Sequence, residues 1–225
     1  MDQNRMKRIS AIRAIEYLDD NESIGIGTGT TVEFFIEELS RIRNKFVNKK
    51  FYASSQRTMQ ILLNLGLDVR EPDRILDVYI DGADSVDRNL NMIKGGGGAL
   101  TREKILAFNS KKRIIIVDET KVRKNIFSFP MPVEIIPFSS DLIKLNLINM
   151  KLKFNLRKFN ENPFVTDNGN FILDVFLENE ENPFDIAHKI KLLPGVVEIG
   201  LFEDLADIII IGKENFEVEE IKKVP

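Results

Sequence analysis

One short span of this chain carries two carboxylates, an ammonium, a bare-backbone loop and a third carboxylate. It reads Asp81-Gly82-Ala83-Asp84, then Lys94 followed by Gly95, Gly96, Gly97 and Gly98, then Glu103. Glycine gives up more conformational freedom on folding than any other residue. A run of four therefore implies positive φ angles or a ligand pressed against the backbone, rather than packing. The residues after the run, 99–109, read as a helix. The glycines would then present free N–H groups and a positive dipole end to an anion. The segment before it, 75–80, is apolar and ends at Asp81. In an open parallel sheet, ligands sit beyond the carboxyl ends of strands, which is where Asp81 and Asp84 are expected. The layout suits acid–base chemistry on a small, polar, anionic molecule. Singly, each piece also has a plain reading: turn or cap residues for Asp81 and Asp84, and a solvated or dipole-complementing pair for Lys94 and Glu103. Their concentration around one glycine run argues for a site.

A second cluster, Thr28-Gly29-Thr30-Thr31, lies between an apolar strand and a helix, where N–H groups and hydroxyls cradle phosphate. A tight turn with a threonine cap is the alternative. Gly25, Gly27 and Gly29 have the wrong last spacing for a dinucleotide fingerprint, and no Gly-Lys-Ser/Thr follows for a P-loop. Asp81, Asp84 and Asp87 do not match a calcium loop. With no cysteine there is no thiol chemistry, and His188, the only histidine, sits in an ordinary amphipathic stretch, 185–193. A general base is therefore expected to be a carboxylate or a lysine. Phe154, Phe159 and Phe164 read as core or intersubunit surface, since no basic groove accompanies them.

These groups need a frame. Residues 3–18 read as a helix with Met6, Ile9, Ile12 and Ile15 along one face and Lys7 off it. Strands at 23–27, 51–53, 67–69, 77–80 and 113–117 alternate with helices at 32–43, 56–65 and 99–109. That alternation predicts an α/β fold with a doubly wound parallel sheet. Prolines at 130 and 132 punctuate the chain. Strand 133–136, helix 140–149, strands 151–157 and 171–177, helix 183–192 and strand 196–201 then give β-α-β-β-α-β, the ferredoxin-like α+β order. Asp167-Asn168-Gly169-Asn170 marks the turn between the middle strands. Residues 207–212 are expected to return to the first sheet, and the charged tail from Lys213 carries no clear signal. The expected domains are 1–130 plus 205–225, and 131–204.

The 225 residues carry 32 basic and 35 acidic side chains, a net charge of −3, which gives no electrostatic case for nucleic acid or an anionic membrane. No apolar stretch is long enough to span a bilayer. Residues Met1 to Arg8 lack the apolar run of a signal peptide, so a cytoplasmic protein is expected.

At these residues the sequence resembles ribose-5-phosphate isomerase type A. The resemblance runs through Gly25 to Thr31, Asp81 to Asp84, Lys94 to Lys104, Pro132 to Pro137, Thr166 to Asn170 and Leu193 to Val197. It implies interconversion of D-ribose 5-phosphate and D-ribulose 5-phosphate in the non-oxidative pentose phosphate pathway. It also implies a Rossmann-like domain with a smaller ferredoxin-like one, a homodimer or homotetramer, and no required metal or organic cofactor. Carried over, it makes Glu103 the proton acceptor. Thr28, Gly29, Thr30, Thr31, Asp81, Gly82, Ala83, Asp84, Lys94, Gly95, Gly96, Gly97 and Lys121 become substrate contacts, with Lys7 an added phosphate contact. Thr30 and Gly98 depart from the family's usual residues, and 151–162 matches less well.

On this reading Lys94 and the glycine N–H groups face the developing oxyanion. Asp81 shuttles the ring-opening proton, Asp84 orients hydroxyls, and Thr28, Thr30, Thr31, Lys7 and Lys121 hold the phosphate. The rivals are a sugar-phosphate sensor without chemistry, an amino-sugar phosphate deaminase-isomerase and, weakest, a dehydrogenase. No helix-turn-helix segment supports the first, His188 is poorly placed for the second, and dinucleotide spacing is lacking for the third.

Overall fold

Unbroken β-branched runs need cover on both faces, and the chain supplies it by alternating them with amphipathic helices. The computed structural model describes residues 2–223; Met1 and the last two residues of the 205–225 segment lie outside the described residues. In chain order the elements are α1 (Gln3–Ile15), β1 (Ser23–Ile26), α2 (Thr30–Arg41), β2 (Lys50–Ala53), α3 (Gln56–Asn64), β3 (Asp68–Val69), β4 (Leu76–Asp81), β5 (Ser85–Val86), β6 (Met92–Ile93), α4 (Leu100–Phe108) and β7 (Ser110–Asp118). They continue with β8 (Met131–Ile135), α5 (Ser140–Asn149), β9 (Lys153–Leu156), β10 (Lys158–Phe159), β11 (Asn162–Pro163), β12 (Phe171–Phe176), α6 (Pro183–Lys191), β13 (Val196–Ile199), β14 (Leu201–Phe202), β15 (Ile208–Gly212) and β16 (Val218–Lys222).

The seven-stranded sheet runs β16-β15-β7-β4-β1-β2-β3. All its pairings are parallel except the last, where β16 lies antiparallel to β15. Strand order reverses between β1 and β4, the switch point of a doubly wound sheet, so a crevice opens at their carboxyl ends. One apolar cluster, with Phe35, Ile80 and Ile116, packs one face. Another, with Tyr79, Ile115 and Ile209, packs the other.

The second sheet, β13-β8-β12-β9, is antiparallel and has its own core around Val133, Ile143 and Val175. With α5 and α6 it gives the ferredoxin-like order. Strands β14, β6 and β5 form a small sheet that joins the two parts.

Two expectations are corrected, and the tail that carried no clear signal takes on a structure. The inward residues of α1 are Met6, Ser10, Ala11 and Ala14, while Ile12 is exposed. A strict spacing of three drifts around a helix of 3.6 residues per turn, and the small residues instead allow close approach to the sheet. Helix α1 also ends at Ile15 rather than at residue 18. The charged tail forms edge strand β16, whose acidic residues Glu219 and Glu220 pair with Arg88 and Arg13.

Candidate active site

Strand β1 ends at Ile26, and the chain leaves the sheet at Gly27 against the last residue of β4, Asp81. A Cβ on Gly27 would overlap the Asp81 carboxylate, so only glycine lets the two strand ends close up. Asp81 Oδ1 accepts from the Gly82 N–H at 2.7 Å and the Thr28 N–H at 3.1 Å. Its Oδ2 accepts from the Tyr79 hydroxyl and lies 2.7 Å from Lys94 Nζ. Lys94 Nζ also donates to the Gly82 carbonyl at 2.5 Å and stands 3.3 Å from Glu103 Oε2. That last approach is too oblique for a hydrogen bond, and Glu103 Oε2 accepts none among the described residues.

All three charges are dry: Asp81 is 0%, Lys94 2% and Glu103 2% exposed. Burial opposes the Lys94 ammonium, but Asp81 and Glu103 outweigh it and hold its pKa above the usual lysine value. Burial, then the nearby Asp81 charge, pushes Glu103 up to about 8 against the pull of Lys94. A buried carboxyl with a free oxygen, titrating near neutrality, has the properties of a general base.

The glycine run reaches this cluster in a way its composition does not suggest. Gly95 and Gly98 take φ of 101° and 84°. A Cβ on Gly95 would stand 2.8 Å from Leu100 Cβ, and one on Gly98 would enter the Phe164 ring. Packing therefore does account for part of the run. Gly96 gives its N–H to Asp84 Oδ2 at 2.7 Å, so that donor is engaged within the protein. Gly97 has only Thr28 Cγ2, at 3.9 Å, near its missing Cβ. Arg157, from the divergent 151–162 stretch, donates to the carbonyls of Gly95 at 2.7 Å and Gly96 at 3.1 Å while paired with Asp174.

On the other side, Gly29 (φ 132°) precedes the first turn of α2, which bears Thr30 and Thr31. Lys7 Nζ, from α1, donates to Thr30 Oγ1 at 3.0 Å. Lys121 closes the short helical turn after β7. The Thr28 hydroxyl turns inward to Ser54, Ser55 and Thr58 at 2.8–3.1 Å.

A cavity is lined by Lys7, Thr28 to Thr31, Gly82 to Asp84, Lys94 to Gly97, Glu103 and Lys121. Asp81 is not among the lining residues; it lies beneath them, with both oxygens committed. Tyr79, Ser54, Ser55 and Thr58 escaped the sequence reading. Tyr79 reads as one more apolar strand residue, but Ala53 faces Ile26 in register, so the parallel order could have placed Ser54 beside Thr28. His188 pairs with Glu203 on the surface, 2.5 Å away. Asp87 caps its own turn through Asn89 and Asn91. Among the described residues, no group of three or more His, Asp or Glu side chains is placed to hold a metal ion. None of their helices is long and apolar enough to cross a membrane.

The sequence profile of ribose 5-phosphate isomerase A (phosphoriboisomerase A) matches residues 50–216. A ribose-5-phosphate isomerase A of Thermoplasma volcanium is 40% identical over 218 residues, covering 95% of this chain and 90% of that protein. A solved D-ribose-5-phosphate isomerase in complex with phospho-erythronic acid superposes with a TM-score of 0.92 at 34% identity, over 99% of this chain and 100% of the other. The ribose 5-phosphate isomerase of Plasmodium falciparum gives 0.93 at 33% identity, with the same coverage. At this level of identity over nearly the whole length, the chain belongs to the ribose 5-phosphate isomerase A family.

Proposed function

We propose that this chain interconverts D-ribose 5-phosphate and D-ribulose 5-phosphate through an enediolate, with Glu103 as the base. The supporting observation is the dry Asp81–Lys94–Glu103 cluster opening on a cavity rimmed by Lys7, Thr30, Thr31 and Lys121. Lys7, Lys121 and the first turn of α2 take the phosphate, whose binding energy sets C1 and C2 of the open-chain sugar against Glu103. Glu103 removes the C2 proton. The C–H electron pair becomes the C1–C2 double bond, and the carbonyl pair moves to O1, where Lys94 meets the new negative charge. A proton passes from O2 to O1, and Glu103 returns its proton to C1, leaving the ketone at C2. The sequence reading gives Asp81 the ring-opening proton, but both its oxygens are engaged beneath the cavity; Asp84, on the cavity wall, takes that proton as well as the sugar hydroxyls. Asp81 acts through Lys94.

The finer assignments share this standing. Residues 1–130 with 205–225 form the catalytic domain and 131–204 its ferredoxin-like companion, in a cytoplasmic homodimer or homotetramer. Exposed Leu142, Leu145 and Ile148 along α5, with Phe138 in the turn just before it, support the assembly, since such an apolar stripe marks an interaction surface.

The test is ketose formation from D-ribose 5-phosphate in excess EDTA, with Glu103→Gln alongside. Wild type turns over, and the variant loses about 10²–10⁴-fold in kcat while still binding the sugar phosphate. Near-normal turnover by Glu103→Gln removes it as base. Binding without turnover by wild type removes the isomerase.

A further inference from the structure

Three of the shared motifs lie outside this chemistry. Two of them are 132–137, largely within β8, and the turn 166–170. They meet at Glu134, which is 0% exposed in the second sheet. No Lys, Arg or His pairs with it among the described residues. Its Oε1 accepts from Thr166 Oγ1 at 2.8 Å, Asn170 Nδ2 at 2.9 Å and Asn168 Nδ2 at 3.2 Å, and its Oε2 accepts from Thr101 Oγ1. Burying a carboxylate with neutral donors alone is costly, and an apolar residue would fill a strand position without that cost. What a carboxylate adds is two acceptor oxygens able to gather donors from separate segments.

The segment it reaches is the first turn of α4. This helix follows a run of glycines and has no side-chain cap at Ala99, so Leu100, Leu106 and Ala107 bury one face of it but no capping group pins its first turn. Each residue of slip turns a helix by about 100°. We propose that Glu134 is a positioning residue for the isomerase reaction: through Thr101 it sets the rotation of α4 and so holds Glu103 beside Lys94. Lys104 completes the hold from the other side, donating to the carbonyls of Ile199 at 2.7 Å and Leu201 at 2.8 Å. The second sheet thus grips α4 on either side of Glu103. The proposal rests on Glu103 being the base.

Thr101→Val cuts the one link from α4 to Glu134 at nearly constant shape. The expected result is a kcat about tenfold lower or worse, since small misplacements of a reacting group are costly, with KM within about twofold because the phosphate rim is untouched. The acid limb of the pH–kcat/KM profile moves to higher pH, because Lys94 lowers the Glu103 pKa less from further away. Thr101→Ser restores both. Leu147→Ala, in the core of the second sheet, lowers thermal stability and leaves kcat and the limb unchanged.

A wild-type kcat in Thr101→Val, or a loss that Leu147→Ala reproduces with an unmoved limb, overturns the proposal. If Thr101→Val does not fold, Thr101→Ala cuts the same link, and wild-type values there overturn it equally. Glu103→Gln separates the two claims. Inactive Glu103→Gln beside normal Thr101→Val removes only the positioning role, whereas active Glu103→Gln removes the base itself.

Discussion

The two ends of the cavity solve opposite problems. At the Glu103 end, three charges are packed out of water and each depends on the others. At the Lys7 and Lys121 end, two partly exposed lysines and a helix start face solvent, and neither cation pairs with a carboxylate among the described residues. A charge held in a dry site acts strongly on its neighbours but is costly to strand. A wet cation contributes less and can be removed with little consequence for folding. Substitutions at the first end should therefore damage stability and chemistry together, and those at the second should touch binding alone.

Lys94→Met is the harshest break. It leaves Asp81 and Glu103 buried side by side with no cation. At pH 8 the expected loss is about 3 kcal/mol of stability or more, and kcat falls more than about 10²-fold. Glu103 takes up a proton more readily once the pull of Lys94 is gone, so the difference in melting temperature from wild type narrows towards pH 5. Thermal melts across pH, with assays at pH 8, check both. A stable, half-active Lys94→Met would dissolve the contrast between the two ends.

Glu103→Gln sharpens it through linkage. The folded-state pKa of Glu103 is raised to about 8 from the ordinary 4.5. The stability tied to its bound proton is present below the lower value and lost as pH rises through the higher one. A permanently neutral glutamine does not lose it. The variant should melt higher than wild type above pH 8 and alike near pH 5, while wild-type kcat/KM climbs along an acid limb close to pH 8. A limb near pH 4.5 would mean the carboxyl is solvated during turnover.

The two ends were also unequally legible in the sequence. Asp84, Lys94, Glu103 and Gly29 could be read because strand ends and glycine-to-helix junctions are local patterns, and all four line the cavity; Lys121 came only with the family resemblance. Asp81 was legible as a site residue but not in its depth, which depends on Gly27 of another strand. Tyr79 and Glu134 were invisible as functional residues. One looks like sheet filler, and the other gains its meaning from donors at 101 and 166–170. The β-α-β-β-α-β order was plain from pattern. The short strands β5, β6 and β14 were not, because each consists of two residues whose pairing is decided wholly by tertiary contact.

Tyr79→Phe tests how far the dry end tolerates a smaller loss. Asp81 keeps Lys94 and two backbone N–H groups but loses one hydroxyl donor. A single buried hydrogen bond is worth about 1 kcal/mol, so kcat should fall about fivefold with KM unchanged. An unaltered kcat would show that Lys94 and the two backbone N–H groups orient Asp81 without the hydroxyl.

Lys121→Ala is the gentlest change and sets the floor for the wet end. Lys121 lines the cavity from a short turn, so its ammonium acts on a doubly charged phosphate partly through solvent. Removing it should raise KM for D-ribose 5-phosphate about threefold, a loss of uniform binding that leaves kcat nearly intact. The melting temperature should not move. Because exposed charges are screened within about 8 Å at physiological ionic strength, the gap between variant and wild type should shrink as salt is added. At the dry end, a Tyr79→Phe deficit should stay constant over the same salt range, since no mobile ion reaches Asp81. A Lys121→Ala deficit that ignores salt would place its ammonium in the same shielded environment as Lys94, and the two ends would then differ in degree rather than kind.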